Sequence, residues 1–386
     1  MDLTLFVIFI TICLLFSFFE LAIKKSVKLL DVIVFLFYVF LIATRSIDYS
    51  PDVETYIYAY NSLPVDNLLS YSDAISTPSY SNFEYGFLLL AQIIKMVFGE
   101  NIIVFLGFFP IFNLLIAFYS VKSIIINNYN NQTKNEETDP PSSFLNVKNI
   151  LFLPFFTIYV SYFGFLYSGV VLRQGVALSL ILLAVSQVYK RKYILGLLFF
   201  FLSIFFHNTA IFAIGVFIII FMKFSIKKPL YYVYIVVIFA FYLLKLYSDI
   251  AKSIADFLVE RIGDGFILIS SDKIDNYLGN VRSLSEYSLS IFASFLFSFF
   301  AIFLFDQNDK FQNKLLQLNL LATTLLSFLS GILAISRLTE YFAVLNIVLF
   351  YCLFIWSEKN KYFTRLVFIL YVTIYSTMFY RMFTLY

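Results

Sequence analysis

Charge is scarce in this chain of 386 residues: Asp, Glu, Lys and Arg together make up 13%, about half the share usual in soluble domains. Histidine occurs once, as His207, and cysteine only twice. So few cysteines exclude a disulfide framework or a cysteine-ligated zinc site. Both of them, Cys13 and Cys352, lie inside apolar runs. A Gly-rich nucleotide loop, an HExxH pair and a Gly-x-Ser-x-Gly nucleophile are also missing. These absences argue against an ATP-driven pump and a metallohydrolase, and nothing points to nucleic acid. What abounds is apolar: 61% of residues are hydrophobic and 51 are phenylalanine, with a mean hydropathy of +0.88. The chain is an all-α polytopic membrane protein.

A spanning helix needs about 20 apolar residues. The expected spans are 3–23, 29–44, 102–126, 150–168, 170–189, 193–207, 208–222, 230–248, 289–305, 314–335, 339–356 and 364–380. The start of the chain lacks the pattern of a cleaved signal peptide, so 3–23 is expected as a retained first span. Residues 86–98 are apolar but too few to cross comfortably. Lysine and arginine in the short connections mark the cytoplasmic side. Lys24, Lys25 and Lys28, Lys190 to Lys192, and Lys223, Lys227 and Lys228 all do so. They agree only if 86–98 does not cross. That segment then becomes a re-entrant or juxtamembrane helix outside, opening at Asn82 with Glu84 in its first turn. The expectation is one transmembrane domain over 1–386 with about twelve spans and both termini outside. External loop 1 covers 45–101, a flexible Asn-rich cytoplasmic linker 127–149, and external loop 2 249–288.

Residues 167–208 read as a helical hairpin turning at Lys190-Arg191-Lys192. Arg173 stands 16 residues before Tyr189 and His207 15 after Lys192. At about 1.5 Å per residue they return to nearly the same depth. A charge inside an apolar segment is costly and marks a functional candidate. The planar guanidinium of Arg173 suits phosphate oxygens, although snorkelling or an ordering ion pair would also explain it. Gln174 beside it reads as an interhelical hydrogen bonder. An imidazole such as His207 suits proton abstraction from a hydroxyl, or it is a satisfied histidine at a helix junction.

In external loop 1, Ser50-Pro51-Asp52 starts a helix that stops at Pro64 and sets Asp52, Tyr56 and Tyr60 on one face. Such a face suits a carbohydrate; the plainer reading is a dipole-complementing acid with interfacial tyrosines. Glu84 is a general base, a hydroxyl-binding carboxylate, or an acid favouring its helix N-terminus. Arg337, Glu340 and Tyr341 share a helical face, as a second phosphate-facing arginine with its neighbours or as a simple ion pair. Arg282 and Arg45 are further candidates for phosphate.

Four motifs in order resemble the EpsG family, grouped with the Wzy-type O-antigen and exopolysaccharide polymerases. They are Arg45 followed by Asp52 and Tyr56, then Phe83-Glu84-Tyr85-Gly86-Phe87. Next comes Leu172-Arg173-Gln174 with Ala177, followed 34 residues after Arg173 by His207 within Phe206-His207-Asn208. Last is Arg337-Leu338-Thr339-Glu340-Tyr341. Ser50-Pro51 stands where the family usually has a glycine before its first aspartate. The resemblance implies a GT-C-like fold and a polymerase joining oligosaccharide repeat units carried on undecaprenyl diphosphate. That work is done at the outer face of the bacterial inner membrane, without metal or other cofactor. It further implies that Arg173, with Arg337, Arg282 and Arg45, binds the diphosphate, while His207, Glu84 or Asp52 deprotonates the acceptor. Tyr56, Tyr60, Gln174, Glu340 and Tyr341 would hold glycan. The implied partners are the lipid-linked donor and acceptor, membrane lipids, a chain-length regulator and a flippase. The rival readings are a flippase or exporter of the same lipid-linked units, and an O-antigen ligase.

Overall fold

Apolar runs in a bilayer have no water to satisfy their backbone, so each N–H must find a carbonyl within its own helix. α1 (Leu3–Ile23) and α2 (Lys28–Ala43) form on that ground. The computed structural model describes residues 3–45, 51–78, 80, 83–133, 150–222, 226–245, 288–307, 309–329, 337–356 and 361–384, and they contain helices and turns but no strand.

Between α2 and the next long helix the chain builds a folded cap. Pro51 opens α3 (Pro51–Ser62), with Asp52 and Glu54 in its first turn. There a missing N–H costs nothing and acids suit the dipole. The Ser70 hydroxyl accepts the Asp73 N–H to start α4 (Tyr71–Ser76). α5 (Tyr85–Phe98) stops at Gly99, where φ is 70°, a left-handed turn that suits glycine. α3 and α5 bury one apolar cluster, with Val53, Tyr56, Ile57 and Tyr60 against Phe87, Leu88 and Ala91.

Two polar side chains of α5 fix the backbone from the end of α3 toward α4. Gln92 donates to the carbonyls of Pro64 (2.8 Å) and Asn67 (2.9 Å) and accepts the Leu69 N–H (2.9 Å). Lys95, fully buried, donates to the carbonyls of Asn61 (2.6 Å) and Leu63 (2.9 Å). Helix 85–98 therefore serves as the spine of the cap.

α6 (Ile102–Thr133) continues as helix through residues 127–133, where composition predicts the start of the flexible linker; local helical bonding wins over asparagine's turn preference there. The rest of that linker lies outside the described residues. α7 (Phe152–Tyr159), one π-turn (Val160–Gly164) and α8 (Phe165–Gly169) run on as one apolar segment. The Tyr38 hydroxyl donates to the Gly164 carbonyl at 2.7 Å, within the widened turn. α9 (Leu172–Tyr189) and α10 (Tyr193–Phe206) form the hairpin expected from the sequence, with Arg191 in the left-handed region (φ 61°) at its turn. α9 is buried on nearly all sides, packed between α6 and α10.

A 3-10 turn (Asn208–Ala213) leads into α11 (Ile214–Phe221), α12 (Lys228–Leu243), α13 (Leu289–Leu304) and α14 (Lys310–Leu329). A 3-10 turn (Arg337–Thr339), α15 (Glu340–Ala343), α16 (Asn346–Trp356) and α17 (Lys361–Thr384) complete the chain. Packing divides the chain into residues 1–211 with 354–386, and residues 212–353. In the second unit α14 carries a buried polar row. Tyr231 donates to Asn313 (2.7 Å), Ser298 to Asn319 (2.8 Å), and Asn319 to Asn346 (3.1 Å). Hydrogen bonds of this kind hold apolar helices together where lipid offers no hydrophobic driving force.

By length and composition four helical segments among the described residues can cross a membrane alone: 4–23, 102–128, 152–169 and 172–189. The pair 337–343 and 346–354, bent by 44°, makes a fifth if taken as one span. The described residues are all-helical and the protein is membrane-integral.

Candidate functional site

Three chain segments converge at the end of the α9–α10 hairpin opposite its turn, and glycine lets two of them in. A Cβ at Gly175 would lie 1.9 Å from the Tyr167 carbonyl oxygen. Without one, α9 starts hard against the end of α8 and its first turn carries Arg173. Asn113 holds the same junction, donating to the Tyr167 carbonyl (3.4 Å) and Ser168 (3.3 Å) and accepting from Ser179 (3.2 Å). A Cβ at Gly86 would fall 2.4 Å from the Phe205 ring and 2.6 Å from the Phe205 carbonyl. α5 thereby starts against the end of α10, where His207 leaves the helix in an extended conformation.

Glu84 is the residue before α5, and its carboxylate caps none of that helix's N–H groups. It points to the hairpin instead. Arg173 Nη1 donates to Glu84 Oε2 at 2.5 Å, and His207 Nδ1 lies 2.9 Å from Glu84 Oε1. The Asn208 N–H reaches the same Oε1 at 3.4 Å. The guanidinium stands 5.0 Å from the centre of the Phe83 ring and 5.7 Å from that of Tyr56, within cation–π range. Burial alone would raise the Glu84 pKa. The hydrogen bond from His207 and the charge of Arg173 outweigh it and hold the carboxyl down at about 2. At neutral pH Glu84 is therefore an anion that only accepts hydrogen bonds. An arginine, a carboxylate and the chain's sole histidine thus form one linked group.

The sequence profile of the EpsG family matches residues 28–386, all three of these residues included. The chain belongs to the EpsG family. It is a family of Wzy-type polymerases. No curated protein and no solved structure matches this EpsG-family chain.

Several residues read from sequence as facing substrate are buried in this EpsG-family protein. Tyr56, at 2% exposure, packs on Phe83 and Phe87. Tyr60, at 0%, stacks on Phe105 and donates to the Gly99 carbonyl at 2.6 Å. The four-residue spacing marks the face of α3 that covers α5, because the cap must bury its own apolar side, so these rings offer no surface to a glycan. Gln174 and Tyr341 are likewise fully buried. On the cap it is Tyr58 and Tyr71 that are exposed. Glu84 precedes its helix rather than lying in the first turn as expected, and Asn82 lies outside the described residues, as does Arg282. Asp52 is half-buried on α3. Arg337 and Glu340 belong to the second unit, in the 3-10 turn and at the start of α15.

Arg45 follows α2 and is 8% exposed. Its Nη1 donates to the Ile42 carbonyl at 2.7 Å, while Nε and Nη2 have no partner among the described residues. Burial lowers its pKa to about 10.

The linking role of Glu84 went unread in the sequence. Its signal was the glycine two residues on, in Phe83-Glu84-Tyr85-Gly86, which marks a close approach rather than a surface helix.

Proposed function

We propose that this protein is a polymerase that joins oligosaccharide repeat units carried on undecaprenyl diphosphate, by glycosyl transfer at the outer face of the bacterial inner membrane. The observation that carries this reading is the Glu84 carboxylate, which holds a fixed cation and a titratable base side by side.

The acceptor hydroxyl oxygen forms its bond to the anomeric carbon of the donor as the bond from that carbon to the diphosphate oxygen breaks. The leaving group departs with the electron pair, and positive charge set in place beforehand lowers the barrier. Arg173 supplies it. His207 takes the hydroxyl proton. Arg45, a buried guanidinium with two nitrogens that meet no acceptor among the described residues, fits as a second phosphate donor. A charge-assisted hydrogen bond is worth about 1.5–3 kcal/mol, so Arg45→Ala is expected to slow chain growth roughly 10- to 100-fold. The exposed Tyr58 and Tyr71 suit the glycan better than the buried tyrosines do.

Cells lacking the native gene and carrying Arg173→Ala are expected to show surface polysaccharide with single repeat units and no ladder on a gel. Arg173→Lys keeps the charge without the planar fork and should give a weakened ladder. A normal ladder with Arg173→Ala removes Arg173 from the mechanism. Purified protein given lipid-linked units should lengthen chains without added energy. Movement across a bilayer with no bond formed would make it a flippase instead, and transfer to a lipid core acceptor a ligase.

A further inference from the structure

We infer that Glu84 is a positioning residue: by taking the Nδ1 hydrogen of His207 it leaves Nε2 as the atom that accepts the proton from the acceptor sugar. The inference rests on the reading of His207 as the base, and it gives Glu84 the anchoring role in place of a base's.

Four observations carry it. His207 Nδ1 is the ring nitrogen at the carboxylate, 2.9 Å from Oε1. Glu84 has no proton to give at neutral pH, because its interactions hold its pKa at about 2; the hydrogen in that bond must come from Nδ1. In the neutral imidazole Nε2 then carries the lone pair. Both carboxylate oxygens are engaged, Oε1 by His207 and the Asn208 N–H, Oε2 by Arg173. A carboxylate held on both oxygens, and that reluctant to take a proton, is a poor base but a firm anchor. Finally, the anchor is itself fixed. Glu84 immediately precedes α5, which Gly86 seats against Phe205 and which Gln92 and Lys95 tie to the cap backbone. One carboxylate thus sets the orientation of the base and of the cation beside it, so that both arrive in fixed geometry.

Because His207 is the chain's single histidine, protein labelled with nitrogen-15 histidine in nanodiscs gives one imidazole to observe. At about pH 9, where imidazoles ordinarily are neutral, the spectrum is expected to show Nδ1 protonated and Nε2 bare, with no substrate present. Glu84→Gln can turn an amide N–H toward Nδ1, and should shift the population toward the Nε2-protonated form. It should also lower kcat roughly 100-fold with KM for the lipid-linked unit nearly unchanged. Glu84→Asp, which keeps the acceptor, should preserve the wild-type tautomer. A wild-type spectrum with Nε2 protonated overturns the inference, as does a Glu84→Gln spectrum identical to wild type. If His207→Asn still lengthens chains while the wild-type tautomer is as expected, the reading of His207 as base fails and the anchoring geometry stands.

Discussion

Glu84→Ala is expected to cost more stability than the double substitution Glu84→Ala/Arg173→Met. The single change leaves a guanidinium with 22% exposure beside the rings of Tyr56 and Phe83 without its carboxylate. Stranding one member of a buried pair costs roughly 3–5 kcal/mol, whereas removing both is often far milder. The depression of the Glu84 pKa from 4.5 to about 2 independently corresponds to about 3 kcal/mol. A folded-state pKa below the ordinary one means stability that is fully present above pH 4.5 and lost as pH falls toward 2. Thermal unfolding in detergent should therefore give a gap between wild type and Glu84→Ala that is constant from neutral pH to about pH 5 and narrows in stronger acid. Equal losses for the single and double variants, or a gap that widens in acid, would show the pair to be dispensable.

Gly175→Ala should be worse still. Its new methyl would sit 1.9 Å from a backbone oxygen and 2.9 Å from the Asn113 amide, so relief requires α9 to back away from α8. Overpacking usually costs 1–3 kcal/mol, and a backbone that cannot move aside puts this site at or beyond the upper end. Gly107→Ala is the control, since its methyl meets side chains and no backbone: Ala43 at 3.3 Å and Val39 at 3.9 Å. The expected result is little folded protein from Gly175→Ala and near-normal yield from Gly107→Ala, read by size-exclusion profile after solubilisation. Similar yields would mean the α8–α9 junction is looser than the contact implies.

Much of the fold could be read in advance because apolar runs and basic turns are strong signals. The expected segment 170–189 is α9 within two residues, and 193–207 is α10 within one. The similar depth of Arg173 and His207 also followed from counting residues around the turn. What spacing could not reveal was the third participant, because Glu84 lies on a separate segment and only tertiary packing brings it in. Tyr56 and Tyr60 show a second limit. A four-residue stripe on a short helix reads equally well as a binding face or a packing face, and here the cap's own core claimed it. The Asn113 junction and the polar row on α14 were invisible for a related reason. Single Asn, Ser and Thr residues in apolar runs barely alter hydropathy, and their partners lie on other helices.

The linked group also has an order of assembly written into it. Glu84 leaves the ribosome 89 residues before Arg173 and 123 before His207. During synthesis the carboxylate must wait until both legs of the hairpin have been made. Arg173 enters at the head of the first leg and gains its counter-charge only when the carboxylate docks, while His207 joins as the second leg is completed. A nascent chain halted before residue 207 would hold the cation and the acid but not the histidine, so the linked group becomes whole only when the hairpin does.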